Sequence, residues 1–414
     1  MVKRYLKNQS LKKLVVILGG IIMNIKGMKR FSVMLLSTIV IAGCGNLTQT
    51  SSSNSITSSD TIKIGGNFEL TGSAAGYGND INNGAKLAVE EINEAGGIDG
   101  KQIEYVEADN KSDANESASA AARLIDEEGV SAIVGPSLTA NYQAQINAAT
   151  QAQVPFIGPA VTSDGATLDA NGEAYAYGFS VAFLNSFQGG AIARFSNDQG
   201  YETAAVMQDN SSDYGQILSD EFKKAFDGDV VATESYVSGD TDFSSILTNI
   251  KSSKPDVIFI AGYYTEAGTI IKQAREMGIE AAIVGPDGLA SEELSSLAGE
   301  ENMNDIYFVS HFASDEDASQ ASKEFSTAFE EAYGKAPDEF AALGYDAVYL
   351  YANAVEEAES EDNQAIAEAL ANTTDFQGVT GAITMKDDHT PNKTAYIQEI
   401  QHNEVVGSTA VAPE

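Results

Sequence analysis

From about residue 60 to the end, short apolar runs alternate with segments whose apolar residues return every three or four positions. Continuous or period-two apolar runs mark strands, and the 3.6-residue period marks helices packed on one face. Strands are predicted at 61–65, 103–107, 132–134 and 155–158. Between them lies a helix with Ile81, Ala85, Ala88, Val89 and Ile92 inward, stopped by Gly96-Gly97. Further helices are predicted over 115–127, with Ala118, Ala121, Ala122 and Ile125 inward, and over 141–151. The rhythm then restarts, with helices at 188–198, 214–226, 242–251 and 266–277 between strands at 203–207, 230–236, 256–260, 282–284 and 306–309. Three acidic helices follow (318–333, 341–358, 364–372), then strand patterns at 382–385, 395–401 and 404–406. Alternating strands and helices predict an α/β fold with mostly parallel sheets. The body of roughly 350 residues exceeds one comfortable core, so two lobes are predicted.

The first sixty residues follow a different pattern. Met28-Lys29-Arg30 opens a short basic segment, and 31–41 is an apolar run of signal-peptide length, too short for a permanent span. Ile41-Ala42-Gly43-Cys44 then matches the lipobox of bacterial lipoproteins, with Cys44 as the lipidated residue. Cys44 is the only cysteine, so no internal disulfide is open to the chain. Residues 1–27 hold a second basic start and a second apolar run, which suggests a misplaced start with translation from Met28. Residues 45–59, rich in Ser, Thr, Asn and Gln, cannot bury a core and are expected to act as a flexible tether. The expected location is the outer face of a bacterial cytoplasmic membrane, held by lipid.

Charge removes one class of partner. Beyond Cys44 there are 16 basic and 60 acidic residues, a net charge of −44. Such a surface repels phosphate backbones, so no nucleic-acid partner is expected. The chain lacks His-Glu-x-x-His, Gly-x-Ser-x-Gly, P-loop and Gly-x-Gly-x-x-Gly motifs, and no Cys/His cluster offers zinc ligands. His311, His389 and His402 fall in no motif and are read as structural or exposed. No enzyme activity, cofactor or metal is expected.

In open parallel sheets, ligands bind beyond the carboxyl ends of the strands. The loops to inspect are therefore 135–139, 158–162, 209–214, 262–266 and 285–288. The 135–139 loop precedes a predicted helix, and 158–162 has the same layout. Hydroxyls and free N–H groups at a helix N-terminus suit a carboxylate, although Thr139 and Thr162 would serve equally as ordinary N-caps. Ser137, Thr139, Ala160, Val161 and Thr162 are the candidates on these loops. Asp287, in Gly285-Pro286-Asp287-Gly288, offers a carboxylate to an ammonium or simply good turn chemistry. Tyr214 and Tyr263 place rings at strand ends, and Tyr77 lies between Gly76 and Gly78 in what reads as a Gly-rich loop. A cleft for an apolar side chain uses such rings.

The ordered set of motifs resembles the type I periplasmic-binding-protein fold, and within it the branched-chain amino-acid-binding (leucine/isoleucine/valine) receptors of ABC transporters. It runs from Leu70-Thr71-Gly72 and Tyr77-Gly78 through Glu91-Ile92-Asn93-Glu94-Ala95-Gly96-Gly97-Ile98-Asp99-Gly100, Val134-Gly135-Pro136 and Pro159-Ala160-Val161-Thr162. It continues with Asp213-Tyr214-Gly215, Gly262-Tyr263, Gly285-Pro286-Asp287-Gly288, Gly344-Tyr345-Asp346-Ala347 and Phe376-Gln377-Gly378-Val379-Thr380-Gly381. The resemblance implies two lobes joined by a three-segment hinge: 60–183 with 313–375, and 184–312 with 376–414. It implies an extracellular monomer that captures an α-amino acid, branched-chain or otherwise aliphatic, by hinge closure and delivers it to an ABC permease. Thr139 then falls where the family binds the ligand carboxylate through a hydroxyl and a backbone N–H. Ala160 and Thr162 fall where a carbonyl and a hydroxyl hold ammonium and carboxylate. Asp287 falls on the acidic partner of the ammonium, a Glu in close relatives, and Tyr77, Tyr214 and Tyr263 fall on pocket aromatics. Pro136-Ser137-Leu138 departs from the family's pocket wall, which leaves side-chain preference open. The alternatives are a receptor for amides, urea, aromatic acids or peptides, a sensory or adhesive lipoprotein, and, third, a hydrolase.

Overall fold

The computed structural model describes residues 61–314 and 318–413. The expectations for the signal segment, the lipobox with Cys44 and the tether lie outside the described residues.

Two sheets carry the chain. The first is wholly parallel, in the order β2 (Gln102–Asp109), β1 (Thr61–Phe68), β3 (Ala132–Val134), β4 (Phe156–Gly158), β5 (Gly178–Ser180). The second has seven strands. β7 (Asp229–Tyr236), β6 (Thr203–Asp209), β8 (Val257–Ala261), β9 (Ala282–Gly285) and β10 (Ile306–Ser310) run parallel, and β14 (Ala395–Gln401) and β15 (Glu404–Val411) complete it antiparallel. A small antiparallel ribbon, β11 (Phe376–Gly378), β12 (Gly381–Met385) and β13 (Pro391–Asn392), lies between the last helix and β14. The apolar run of β8 is buried at every position, as expected where helices cover both faces of a parallel sheet.

Helices α1 (Ala75–Glu94), α2 (Ala114–Arg123) and α3 (Thr139–Ala152) serve the first sheet. Next come α4 (Asn185–Asp198), α5 (Asp213–Ala225), α6 (Ser244–Ser253), α7 (Tyr264–Glu276) and the short α8 (Glu292–Ala298) around the second. The chain then returns: α9 (Gln320–Tyr333), α10 (Glu339–Ala358) and α11 (Asn363–Ala371) follow, and α10 packs on α1 and β3. The chain thus passes between the sheets three times, after β5, after β10 and after α11.

The differences from expectation are local. The helix expected over 115–127 ends as α-helix at Arg123 and finishes in a π turn, 124–128, stopped by left-handed Gly129. No helix follows Thr162. Residues 159–177 run as turns, because Ser163-Asp164-Gly165 and Asn171-Gly172 supply turn residues and two positive-φ glycines instead of a helical stripe. Tyr77 lies in no loop. It sits in the first turn of α1, buried, and the flanking glycine is a spacing device: a Cβ on Gly78 would meet the Glu69 carbonyl oxygen at 2.2 Å. Strand β5 and helix α8 carry too few periodic positions to be read from pattern alone, and β15 extends past 406 as an exposed edge.

Helices α1 and α10 meet backbone to backbone. A Cβ on Gly84 would fall 1.8 Å from the Ala341 carbonyl oxygen, and one on Gly344 2.0 Å from that of Ile81. Glycine at both contacts sets the distance at which Tyr77, on α1, reaches Phe340, on α10, with ring centroids 4.6 Å apart. Beside this crossing, the buried Asp346 carboxylate accepts from Val379 N (2.8 Å), Thr380 N (2.9 Å) and Thr380 Oγ1 (2.6 Å). Thr380 Oγ1 accepts from Lys393 Nζ at 2.8 Å, and Lys393 also donates to the Val181 carbonyl at 3.0 Å. One buried network therefore ties the third passage to the first. Overpacking a close backbone contact costs about 1–3 kcal/mol. Gly344→Ala is expected to lower the thermal midpoint by several degrees, while Gly407→Ala, whose Cβ meets nothing within 4 Å, should leave it unchanged in the same melt.

Candidate ligand-binding site

The carboxyl ends of β3 and β4 face those of β6, β8 and β9 across a cleft. Eight of the nine residues singled out from the sequence line one small cavity there, of about 30 Å³. Tyr77, Ser137, Thr139, Ala160 and Thr162 come from the first sheet's loops and α1, and Tyr214, Tyr263 and Asp287 from the second's. Leu138, Gly288 and Phe340 complete the wall. Val161 does not join it. Its side chain packs into the first core with Tyr142 and Phe156, and its carbonyl accepts from Ser180 Oγ at 2.8 Å. A second cavity of about 610 Å³ shares Tyr77, Leu138, Thr139, Tyr214 and Tyr263 with the first and extends it outward, past Asp209, Glu266 and several serines.

The first wall is positioned by a residue that loop inspection missed. Glu69, one residue past β1 and fully buried, accepts from Ser137 N (2.9 Å), Ser137 Oγ (2.7 Å) and Asn141 Nδ2 (2.7 Å). Leu138 N approaches the same carboxylate at 3.4 Å. The Ser137 hydroxyl is thereby committed to the fold. Thr139 opens α3, so its N–H and that of Ala140 belong to the helix's first turn, where backbone donors have no intrahelical acceptor. That end of α3 attracts negative charge.

The second wall centres on Asp287, buried in a single 3-10 turn (Asp287–Leu289) that follows β9. Its Oδ1 accepts from the Tyr214 hydroxyl at 2.5 Å, and its Oδ2 lies 3.2 Å from His311 Nε2. Its backbone N–H donates to Gln188 Oε1 at 3.0 Å. Tyr214 Oη also accepts from Gly288 N at 2.9 Å, and a Cβ on Gly288 would come 2.7 Å from that oxygen, which is why glycine follows Asp287. Burial, and then the Asp287 charge, pushes the Tyr214 hydroxyl well above its ordinary pKa, so it stays a donor. Tyr214 and Tyr263 stack at 4.6 Å and 7°.

Tyr77 bridges the walls. Its hydroxyl donates to the Gly288 carbonyl at 2.6 Å and accepts a long bond from Tyr264 N at 3.4 Å. Lys335, just before α10, pairs with Asp80 of α1 at 2.8 Å and with Glu292 of α8 at 3.3 Å. A buried carboxylate on one side and a helix N-terminus on the other can hold the two ends of a zwitterion, with tyrosine rings and Phe340 between. Among the described residues no cluster of His, Cys, Asp and Glu could hold a metal ion, and no helix is long and apolar enough to cross a membrane.

Of the missed residues, Glu69 and His311 each follow a strand end by one residue, so inspecting the exits of β1 and β10 would have found them. His311, expected to be structural or exposed, is fully buried and contacts Asp287. Phe340 lies in a helix's first turn and carries no local signal.

With this geometry in place, comparison with known proteins decides the family. A family model described as periplasmic binding protein matches residues 61–404. The chain belongs to the periplasmic binding protein family. A crystal structure of the branched-chain amino acid transporter substrate-binding protein LivJ from Streptococcus pneumoniae, in complex with isoleucine, is 43% identical. It superposes with a TM-score of 0.81 over 85% of this chain and 100% of that one. The leucine-binding protein LivK from Thermotoga maritima is 32% identical, with a TM-score of 0.78 over 85% of this chain and 99% of that one. A leucine-, isoleucine-, valine-, threonine- and alanine-binding protein from Pseudomonas aeruginosa is 28% identical over 86% of this chain and 91% of its own length. This periplasmic binding protein is thus a two-lobed solute-binding protein of the ABC-transporter type and not an enzyme.

Two outcomes follow from the site. Glu69→Gln turns donors toward the Ser137 and Asn141 donors, and is expected to cost about 1–3 kcal/mol in chemical denaturation. Burial pulls His311 down to about 4 from its usual 6.5, partly offset by the bond to Asp287. Its contribution to stability is therefore complete above pH 6.5 and shrinks as pH falls toward 4, because the unfolded chain takes up a proton that the folded one refuses. In unfolding titrations across that window, His311→Gln should remove a slope of at most about 1.4 kcal/mol per pH unit.

Proposed function

We propose that the protein captures an aliphatic α-amino acid, most suitably a branched-chain one, and delivers it to an ABC permease. The observation that carries this reading is the placement of Asp287 and the N-terminus of α3 on opposite walls of one cavity lined by both lobes. The ligand ammonium pairs with Asp287. Its carboxylate takes the hydroxyl and N–H of Thr139 and the hydroxyl of Thr162, with the Ala160 carbonyl as a further acceptor for the ammonium. Tyr77, Tyr214, Tyr263 and Phe340 enclose the side chain. Isoleucine in the LivJ complex and the names of the leucine-binding relatives support this ligand class.

The lobes divide at 183/184, 312/313 and 375/376, and the three passages act as the hinge. The ligand binds the first lobe's loops through its charged groups, and closure brings Tyr214, Tyr263 and Asp287 across. Burying a zwitterion is unfavourable unless each charge is met, so discrimination is strongest for the head group. A single methylene in the side chain changes affinity by only about 0.8 kcal/mol, so leucine, isoleucine and valine are poorly separated. Cys44 carries a lipid, residues 45–59 form the tether, and the protein works as a monomer at the outer face of the membrane.

Calorimetry on the mature body with leucine, isoleucine, valine, 4-methylpentanoate and leucinamide tests this reading. The three amino acids should bind within about tenfold of one another, the two analogues at least a hundredfold more weakly, and Asp287→Asn should abolish that preference for amino acids over 4-methylpentanoate. Equal binding of the acids, the amide and the amino acids would contradict it.

A further inference from the structure

Asp287 is an anion held only by neutral donors. One oxygen takes the Tyr214 hydroxyl at 2.5 Å and the other faces His311 Nε2 at 3.2 Å, and among the described residues no lysine or arginine lies within ion-pair distance of it. A guanidinium in either place would cancel the charge that an incoming cation needs. His311 itself is fully buried and does not line the cavity. The residue is held at three points, two on its ring and one on its backbone. It stacks on Phe183 at 3.5 Å and 17°, its backbone N–H donates to Glu339 at the start of α10, and Asp287 takes the ring nitrogen. Phe183 lies on the first passage between the sheets and His311 on the second.

We infer that His311 is the positioning residue for Asp287: its imidazole donates from Nε2 to Oδ2, which holds the carboxylate aimed into the cleft, so that ammonium selectivity depends on a residue the ligand never touches. This rests on the amino-acid reading above. The buried Nδ1 has no hydrogen-bond partner, as suits a bare lone pair better than an N–H. Burial, and then the Asp287 charge, pushes the Glu339 carboxyl well above the usual carboxylate range, so it competes less with Asp287 for the donors around them. The stack on Phe183 fixes the ring plane, so the aim of Asp287 is tied to the same segments that join the lobes.

The test measures leucine and 4-methylpentanoate on the wild type, His311→Leu and His311→Gln, with thermal melts to confirm folding. His311→Leu should lose tenfold or more in leucine affinity while 4-methylpentanoate affinity stays within twofold, so the ratio between them collapses. His311→Gln, which keeps a donor, should restore most of the ratio. An unchanged ratio in His311→Leu, or equal weakening of both ligands, would overturn the inference and leave the amino-acid reading standing. Failure of the wild type to prefer leucine would instead remove the reading beneath it. If His311→Leu does not fold, ring ¹⁵N chemical shifts of the wild-type histidine decide. A neutral ring protonated at Nε2 at neutral pH supports the inference, and protonation at Nδ1 or at both nitrogens overturns it.

Discussion

A charge removed from water is tolerated in a protein only when something meets it. The Asp287 carboxylate is met by a phenol and an imidazole, but by no cation among the described residues. Much of the architecture reads as a means of holding that carboxylate in place. Gly288 is glycine because a Cβ there would come within 2.7 Å of the Tyr214 oxygen. Tyr214 remains protonated because it is buried beside the anion. The imidazole stacks on Phe183, and the backbone N–H of His311 is held by Glu339, with Phe183 and His311 on two of the segments where the chain crosses between its sheets.

The opposite wall solves the complementary problem. A site for a carboxylate needs free N–H donors without a competing base, and the first turn of α3 offers them. Glu69 sits close by, but its oxygens are taken by Ser137 and Asn141. It therefore orders the loop and leaves the Thr139 end of the helix to a ligand. Tyr77 then spans the gap from α1 to Gly288, at a height set by the glycine-to-backbone contacts between α1 and α10.

Strand and helix order could be read from the chain because burial imposes an unbroken apolar run or a 3.6-residue period wherever an element is long enough, as in β8 and α1. It failed where elements were short or irregular. Strand β5 has three residues, and the segment after Thr162 is held by turns, so an apparent copy of the Gly135–Thr139 loop led to no helix. The candidate residues were legible because ligands gather beyond parallel strand ends and those loops carry few residues that can bind. Val161 shows the limit: its place on a strand-end loop does not say which way its side chain points, and it packs into the core. His311 shows the other: a histidine in no motif gives no sign of its partner, 24 residues away in sequence.

The central claim is that a zwitterion is held by its two charges from two facing lobes, and a crystal structure of the mature protein with the ligand that copurifies with it tests that claim most directly. The account predicts an α-amino acid with its ammonium nitrogen about 3 Å from an Asp287 oxygen and its carboxylate at the Thr139 end of α3. An uncharged or sugar-like occupant, or an amino acid whose ammonium lies away from Asp287, would contradict it.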